Sequence, residues 1–203
     1  MAVQRKVFVP TNDEFARWTN IFTNTSGAAI TLQVITGNNL GSDAGTTIVT
    51  SSSGDAAVTT ADNWATTFQQ FVGTTSGDPR LGHVFGGPGA LVGLSGVSFA
   101  NTDDNPFWRY TLTLQPGQTQ AIVNFATGQP SRADASAKAA ELTALAGNAS
   151  ACMTANELAQ VVNYAAAAGP GNQSVPLADK RILMAVAAML LGLGFVALRR
   201  NHA

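Results

Sequence analysis

Alternation of apolar and polar residues is the feature that most constrains how this chain can fold. In Phe107–Leu114 every second residue is apolar, and Arg109, Thr111 and Thr113 stand between them. Ala29–Thr36 repeats the pattern. Side chains alternate between the two faces of a strand, so each segment has one apolar and one polar face. This indicates antiparallel sheets with one face in water.

Turn signals divide the first part of the chain into short strands. Pro116 and Gly117 predict a turn after Leu114, and Thr119–Thr127 predicts the return strand of a β-hairpin. Further predicted strands are Phe15–Asn24, Thr46–Ser51, Trp64–Val72, Leu81–Phe85 and Gly93–Phe99. The turn signals recur about every 8–12 residues, as in a sandwich or barrel. Residues 1–129 are therefore predicted to form an antiparallel β-sandwich, and the fold class is mainly β.

Residues 130–168 predict two short α-helices. Ser131–Asp134 and Thr154–Glu157 both have the form of a capping box. After the second box, apolar residues at i, i+3, i+4 and i+7 predict one helical stripe through residue 165. Cys152, the only cysteine, has no disulfide partner and is predicted to be a small buried residue on a helix. Gly and Pro residues make 169–179 a linker.

A C-terminal transmembrane helix is predicted for residues 180–203. Ile182–Leu198 contains 17 residues without a charge, which as a helix span about 25 Å, near the lower limit for a bilayer. Basic residues that can reach the lipid headgroups flank the run: Lys180, Arg181, Arg199 and Arg200. The alternative is a buried helix of the globular domain, but a core helix normally carries a polar stripe. The lipid bilayer is thus the expected partner.

The C-terminus resembles a known class of bacterial sorting signal. Val175, Pro176 and Leu177, the apolar run and the terminal arginines are similar to signals of the PEP-CTERM and IPTL-CTERM kind. This resemblance implies a protein exported by a Gram-negative bacterium and handled by a processing enzyme of the exosortase type.

The β-rich part also resembles a module of large bacterial surface proteins with no known activity. The segments that carry this resemblance are Arg17–Asn24, Asn39–Asp43, Ser52–Asp55, Gly77–Pro79 and His83–Gly89. The resemblance implies a surface location and no particular chemistry. Met1–Pro10 lacks the apolar stretch of a secretory signal, so we expect a start that truncates a longer precursor. The rival interpretation is a tail-anchored protein that faces the cytoplasm.

The sequence disfavours nucleic-acid binding and enzymatic activity. Residues 1–175 carry seven basic and eleven acidic groups, a net charge of 7 − 11 = −4, which repels phosphate. His83 stands apart from any metal-binding or nucleophile motif, and a structural role is predicted for it. No catalytic residue and no required cofactor are therefore predicted, and the ligand is left unknown.

Acidic turns leave a calcium site as an alternative. Asp103, Asp104 and Asn105 form the densest group of oxygen ligands, the ligands that Ca²⁺ prefers. Asp and Asn also favour turns for local backbone reasons, and this is the primary interpretation. Together with abundant aromatic residues, these turns leave a calcium-dependent or carbohydrate-binding lectin-like domain as the second functional hypothesis. The first is a structural or adhesive surface module.

Overall fold

The structure, a computed structural model, describes residues 1–40, 45–69 and 80–165. Its strands are β1 (Ala2–Phe8), β2 (Ala16–Thr23), β3 (Ile30–Gly37), β4 (Thr46–Ser51), β5 (Trp64–Gln69), β6 (Arg80–Val84), β7 (Gly96–Ser98), β8 (Phe107–Leu114) and β9 (Thr119–Gln129). Two helices follow, α1 (Arg132–Leu142) and α2 (Ala155–Gln160), with a 3₁₀ turn at Gly147–Ser150 between them.

The strands form two antiparallel sheets, as predicted. The larger sheet has the order β1-β2-β9-β6-β5-β4, and the smaller has the order β3-β8-β7. Alternation explains the packing, because in β8 the residues Trp108, Tyr110, Leu112 and Leu114 are buried and those between them are exposed. The mainly β, sandwich-like architecture is confirmed.

An inner core lies between the two sheets. Its buried members are Phe22, Val34, Ile48, Ala65, Phe85, Phe99, Trp108, Tyr110, Leu112, Leu114, Ile122 and Val162. Each comes from the inward face of a strand or from an adjoining loop. Burying such side chains contributes about 1.5–3 kcal/mol each, so this core is a main source of stability.

An outer core covers the opposite face of the six-stranded sheet. It joins strand residues to residues of the helical region: Phe15, Ile21, Val84, Ala121, Val123, Phe125, Ala139, Leu142, Leu145, Ala149, Val161 and Tyr164. Helix α1 approaches β6 closely because Gly82 has no side chain. A Cβ there would lie 2.8 Å from Thr127 Cγ2 and 3.2 Å from the Ala135 carbonyl oxygen. The described part of the chain therefore forms three layers, which are the helical region, the six-stranded sheet and the three-stranded sheet.

The predicted hairpin between β8 and β9 is wrong. The turn forms, with Gly117 at φ +76°, but β8 lies in the three-stranded sheet and β9 in the six-stranded sheet. The buried amide of Asn24 holds the connection, because its Nδ2 donates to the Leu114 carbonyl oxygen at 3.0 Å. The Asn24 backbone N–H also donates to the carbonyl oxygen of Gln118 at 2.9 Å. The apolar faces of the two strands thus meet across the core instead of side by side.

The second capping box forms, whereas at the first helix Ser131 acts as a simple N-cap whose Oγ accepts from the Asp134 N–H at 3.1 Å. The second helix is shorter than predicted. Thr154 accepts from the Glu157 N–H, and the Glu157 carboxylate accepts from the Thr154 N–H. Helix α2 ends at Gln160, and Val161 is extended, in a parallel bridge with Ala121. Val161 and Val162 therefore reach the core as extended chain, so the predicted stripe through residue 165 is wrong.

Two further differences from the sequence-based predictions concern Cys152 and the N-terminal strand. Cys152 is exposed in a turn with φ +60°, not buried on a helix, because the chain reverses there before α2. Strand β1 was not predicted, since Ala2–Phe8 alternates poorly and is exposed on both faces apart from Phe8. It forms through backbone pairing with β2, from Ala2 opposite Thr23 to Phe8 opposite Arg17.

The C-terminal predictions lie outside the described residues. These are the linker at 169–179, the sorting-type motif Val175, Pro176 and Leu177, and the helix at 180–203 with Lys180, Arg181, Arg199 and Arg200. Within residues 1–40, 45–69 and 80–165, no helix is long and apolar enough to cross a bilayer.

Candidate functional site

His83 is enclosed in the inner core on β6. It is 1% exposed, and its Nε2 lies 3.0 Å from the Thr67 hydroxyl. Its ring contacts Phe99 and Trp108 at centroid distances of 5.6 and 6.1 Å. Burial lowers the pKa of His83 to about 4, because the charged imidazolium loses its hydration. The imidazole is therefore neutral near pH 7 and packs as part of the core.

The Asp103–Asn105 loop has the hydrogen bonds of an Asx turn. Asp103 Oδ1 accepts from the Asn105 N–H at 2.9 Å. Asp104 is buried, and its Oδ2 accepts from Asn39 Nδ2 at 3.2 Å. Asn105 Nδ2 also donates to Asp104 Oδ1. Among the described residues there is no group of three or more Asp, Glu, His or Cys placed to hold a metal ion. Local turn geometry accounts for this cluster, and calcium binding stays a prediction.

A cavity of about 250 Å³ opens at one side of the sandwich. We call it the lateral cleft. It lies where the edge strand β1 and its neighbour β2 face β3, the edge strand of the other sheet. Polar and aromatic residues of its lining include Arg5, Trp18, Asn20, Asn38, Trp108 and Asn124. Among the described residues that line it, Arg5 alone is charged.

Trp108 lies at the inner end of the cleft with an unpaired donor. It is 3% exposed, and its indole Nε1, which has less than 1 Å² of accessible surface, has no hydrogen-bond partner among the described residues. Its ring packs against Phe85 at a centroid distance of 5.1 Å. The core therefore holds the indole ring in place without satisfying its N–H group, which in buried positions usually finds an acceptor.

Asn124 presents an unpaired acceptor beside it. The Tyr110 hydroxyl donates to the carbonyl oxygen of Phe85, and Asn124 Nδ2 donates to the Tyr110 oxygen at 2.8 Å. Burial raises the pKa of Tyr110, so the phenol stays protonated and donates. These two hydrogen bonds fix the orientation of the Asn124 amide. Its Oδ1 is buried and has no hydrogen-bond partner in the described part of the chain.

The mouth of the cleft is built on β1 and β2. Arg5 is opposite Asn20 in the strand register, and its Nε donates to Asn20 Oδ1 at 2.7 Å. Trp18 lies two residues before Asn20 on β2, so both side chains are on the same face of the sheet. It is opposite Asn124 of β9 and is half-buried. Asn38, just after β3, has a second buried amide oxygen that no described residue pairs. An aromatic ring, amides and one guanidinium thus surround the opening.

From the sequence, Trp18 and Trp108 were interpreted as core aromatics, with a carbohydrate platform as the alternative, and the asparagines were not singled out. The available signal was the placement of Asn20 and Asn124 at inward-facing strand positions, where apolar residues are the rule. The pairing of β2 with β9 brings these positions together, and no local pattern predicts that pairing. In comparisons with known proteins, no family model and no curated sequence matches this chain.

Proposed function

We propose that this chain is a non-enzymatic module of a Gram-negative cell surface, with a structural or adhesive role, anchored by a C-terminal membrane helix. The observation that carries the proposal is the uncharged run Ile182–Leu198 between two pairs of basic residues. Water solvates such a run poorly, whereas a bilayer accepts it. On this proposal, Val175, Pro176 and Leu177 belong to a signal that an exosortase-type enzyme handles.

The described part of the chain supports a role outside catalysis. His83 is packed among aromatic rings, and the Asp103–Asn105 oxygens serve a turn. The outward face of the three-stranded sheet carries uncharged hydroxyl groups, among them Thr31 and Thr113, whose oxygens lie 3.0 Å apart. The same face exposes Ile35 and Phe107, and exposed apolar side chains of this kind suit a surface that contacts a partner.

Cell fractionation with a matched pair of variants tests the anchor. We expect the chain in the membrane fraction and its body digested by protease added outside spheroplasts. Two arginines in place of Leu190 and Leu191 cost about 2.5–3.5 kcal/mol each at the centre of a membrane helix, so this variant leaves the membrane fraction. The control is Leu91→Arg, at a residue that is 75% exposed in the body. Recovery of the unsubstituted chain in the soluble cytoplasm, or complete protection in spheroplasts, would contradict the proposal.

Carbohydrate binding is the second candidate function. The lateral cleft favours it, because two of the three tryptophans and several side-chain amides converge there. An adhesive role and a sugar ligand are compatible, since surface modules commonly act by binding.

A further inference from the structure

We propose that the open edge of β3 accepts one extended strand of a partner polypeptide, with apolar side chains at alternate positions and an acidic side chain among them. The added strand would lie opposite β1 and widen the three-stranded sheet. The inference names a partner for the adhesive role proposed above and rests on that role, but it does not depend on membrane anchoring.

Both sheets end in an open edge at the lateral cleft. Among the described strands, β1 pairs only with β2, and β3 pairs only with β8. Arg5 of β1 and Thr36 of β3 both line the cleft, so the two edges border the same opening. The six-stranded sheet therefore extends here beyond the last strand of the smaller sheet.

The inward face of β1 carries apolar side chains that contact water. Val3 lies opposite Phe22, a member of the inner core, and Val7 lies opposite Trp18. Directly opposed residues of an antiparallel pair share a face, so Val3 and Val7 point to the side of the inner core. They are nevertheless 57% and 58% exposed. A strand added beside β3 would cover them, and exposed apolar patches of this kind mark interaction sites.

The edge of β3 is suited to backbone pairing. Natural edge strands are commonly blunted by charged residues, proline or bulges. Strand β3 has eight residues with neither a charge nor a proline, and its register with β8 is unbroken from Ile30 to Gly37. The N–H and C=O groups along such an edge pair with another backbone, which selects a polypeptide as the ligand.

Arg5 selects an acidic residue in the added strand. It lies between Val3 and Val7 on the same face of β1 and is exposed. Its Nε donates to Asn20 Oδ1 at 2.7 Å, and no described carboxylate forms an ion pair with it. A guanidinium binds a carboxylate through two parallel N–H groups. The partner side chain that faces Arg5 is therefore expected to be Asp or Glu.

A second copy of this chain fits the β3 edge less well than a different polypeptide. None of the nine described strands contains Asp or Glu, so a strand from another copy leaves Arg5 without a counter-charge. The pattern of apolar residues alone does not separate the two partners. The charge does, and it favours a partner of different sequence.

Titration of the full-length chain with synthetic peptides tests the inference. In a detergent solution, each probe has eight residues, the length of β3, with alternating Val and Thr and with Glu in place of each Val in turn. Control peptides carry Lys in place of Glu, or Pro at two adjacent central positions, which removes backbone donors. Up to ~1 mM peptide, we expect the β3 amide signals and the Trp18 indole signal to move saturably with at least one Glu peptide. The Trp64 indole signal stays in place, because Trp64 packs against the outer core.

Two variants and one control complete the test. Val3→Ser combined with Val7→Ser is expected to bind the Glu peptide about tenfold or more weakly, because less apolar surface is buried. Arg5→Glu should reverse the preference, so that the Lys peptide binds about fivefold more tightly than the Glu peptide, the scale of an exposed ion pair. Leu91→Ser, at a residue that is 75% exposed, leaves the affinity unchanged.

Three results would overturn the inference. The first is that no Glu peptide moves the β3 amide signals. The second is that the Pro-containing peptide binds as tightly as its parent, which means that backbone pairing is not used. The third is that folded Arg5→Glu still prefers the Glu peptide.

Two further results would assign the opening to another occupant and also overturn the inference. Movement of the β3 signals with protein concentration alone indicates a second copy. Movement with neutral hexoses but with no peptide indicates a sugar in the cleft. None of these results bears on cell fractionation, so failure of the β3 edge and failure of the anchor are distinguishable.

Discussion

The imidazole of His83 makes stability depend on pH. Its folded-state pKa is about 4 because of burial, whereas its ordinary value is 6.5. Between these values the unfolded chain binds more protons, so stability rises with pH there and is fully present above about pH 6.5. We expect the free energy of unfolding to fall by about 2 kcal/mol from pH 7 to pH 5, as measured by urea titration.

His83→Gln is the control for this prediction. It removes the titrating group, so the slope between pH 5 and 7 should disappear even if the variant is less stable. Asp62 does not interfere, since burial alone would raise its pKa but hydrogen bonds from Thr59 and Ser52 outweigh that effect and hold it at about 2. An unchanged slope in His83→Gln would contradict the assignment.

The Asp103–Asn105 loop gives a second test at single residues. Its oxygens already accept hydrogen bonds from Asn105 and Asn39, so we expect Ca²⁺ at millimolar concentration to leave the melting temperature unchanged. A ligand that binds only the native state raises stability with its concentration. A saturable rise that is lost in Asp103→Asn would instead establish a calcium-dependent module.

Residue-level reasoning succeeded where a role depends on the immediate neighbours. The caps at Ser131 and Thr154, the exposed Arg109 and the enclosed His83 all follow from local pattern. It failed at Cys152, because the reversal of the chain at that point depends on how the helices dock on the sheet. The cleft asparagines were missed for the same reason, since their significance comes from strands that are distant in sequence.

Helix α1 packs closely against the six-stranded sheet because Gly82 has no side chain that would separate them. A Cβ there would lie 3.2 Å from the Ala135 carbonyl oxygen and 3.3 Å from Ala139 Cβ. Gly82→Ala is expected to cost about 1–3 kcal/mol of unfolding free energy, because overpacking displaces the helix. Gly27→Ala is the control, since a Cβ at Gly27 meets nothing within 4 Å. Equal denaturation midpoints for the two variants would contradict this account of the docking.

Strand positions were predictable, but strand partners were not. Phe107–Leu114 and Thr46–Ser51 match their predicted bounds because alternation and turn residues are local signals. Alternation specifies only which face of a strand is buried. It is satisfied equally by two strands side by side and by two strands facing each other across a core. Strand β8 and strand β9 adopt the second arrangement, held by contacts to Asn24 that the turn itself does not encode.

The three layers of the molecule make the helical region part of one structural unit with the sheets. Apart from the exposed edge strand β1, the six-stranded sheet contributes buried residues on both faces, to the core shared with the three-stranded sheet on one side and to the core shared with residues after Gln129 on the other. The sequence predicted a β-sandwich from residues 1–129 alone, with the two short helices of residues 130–168 as a separate part of the chain. The positions of Leu142 and Tyr164 in the outer core show that this region also covers the sheet.

Truncation tests this dependence at the scale of the whole molecule. A chain that ends at Gln129 exposes Ile21, Val84, Val123 and Phe125, at about 1.5–3 kcal/mol each. Their sum, about 6–12 kcal/mol, is comparable with the ~5–15 kcal/mol stability of a typical domain. We expect this fragment to lack a cooperative melting transition in calorimetry. A chain that ends at Ala167 keeps both cores and should melt cooperatively, so a cooperative transition in the shorter fragment would show that the outer core is dispensable.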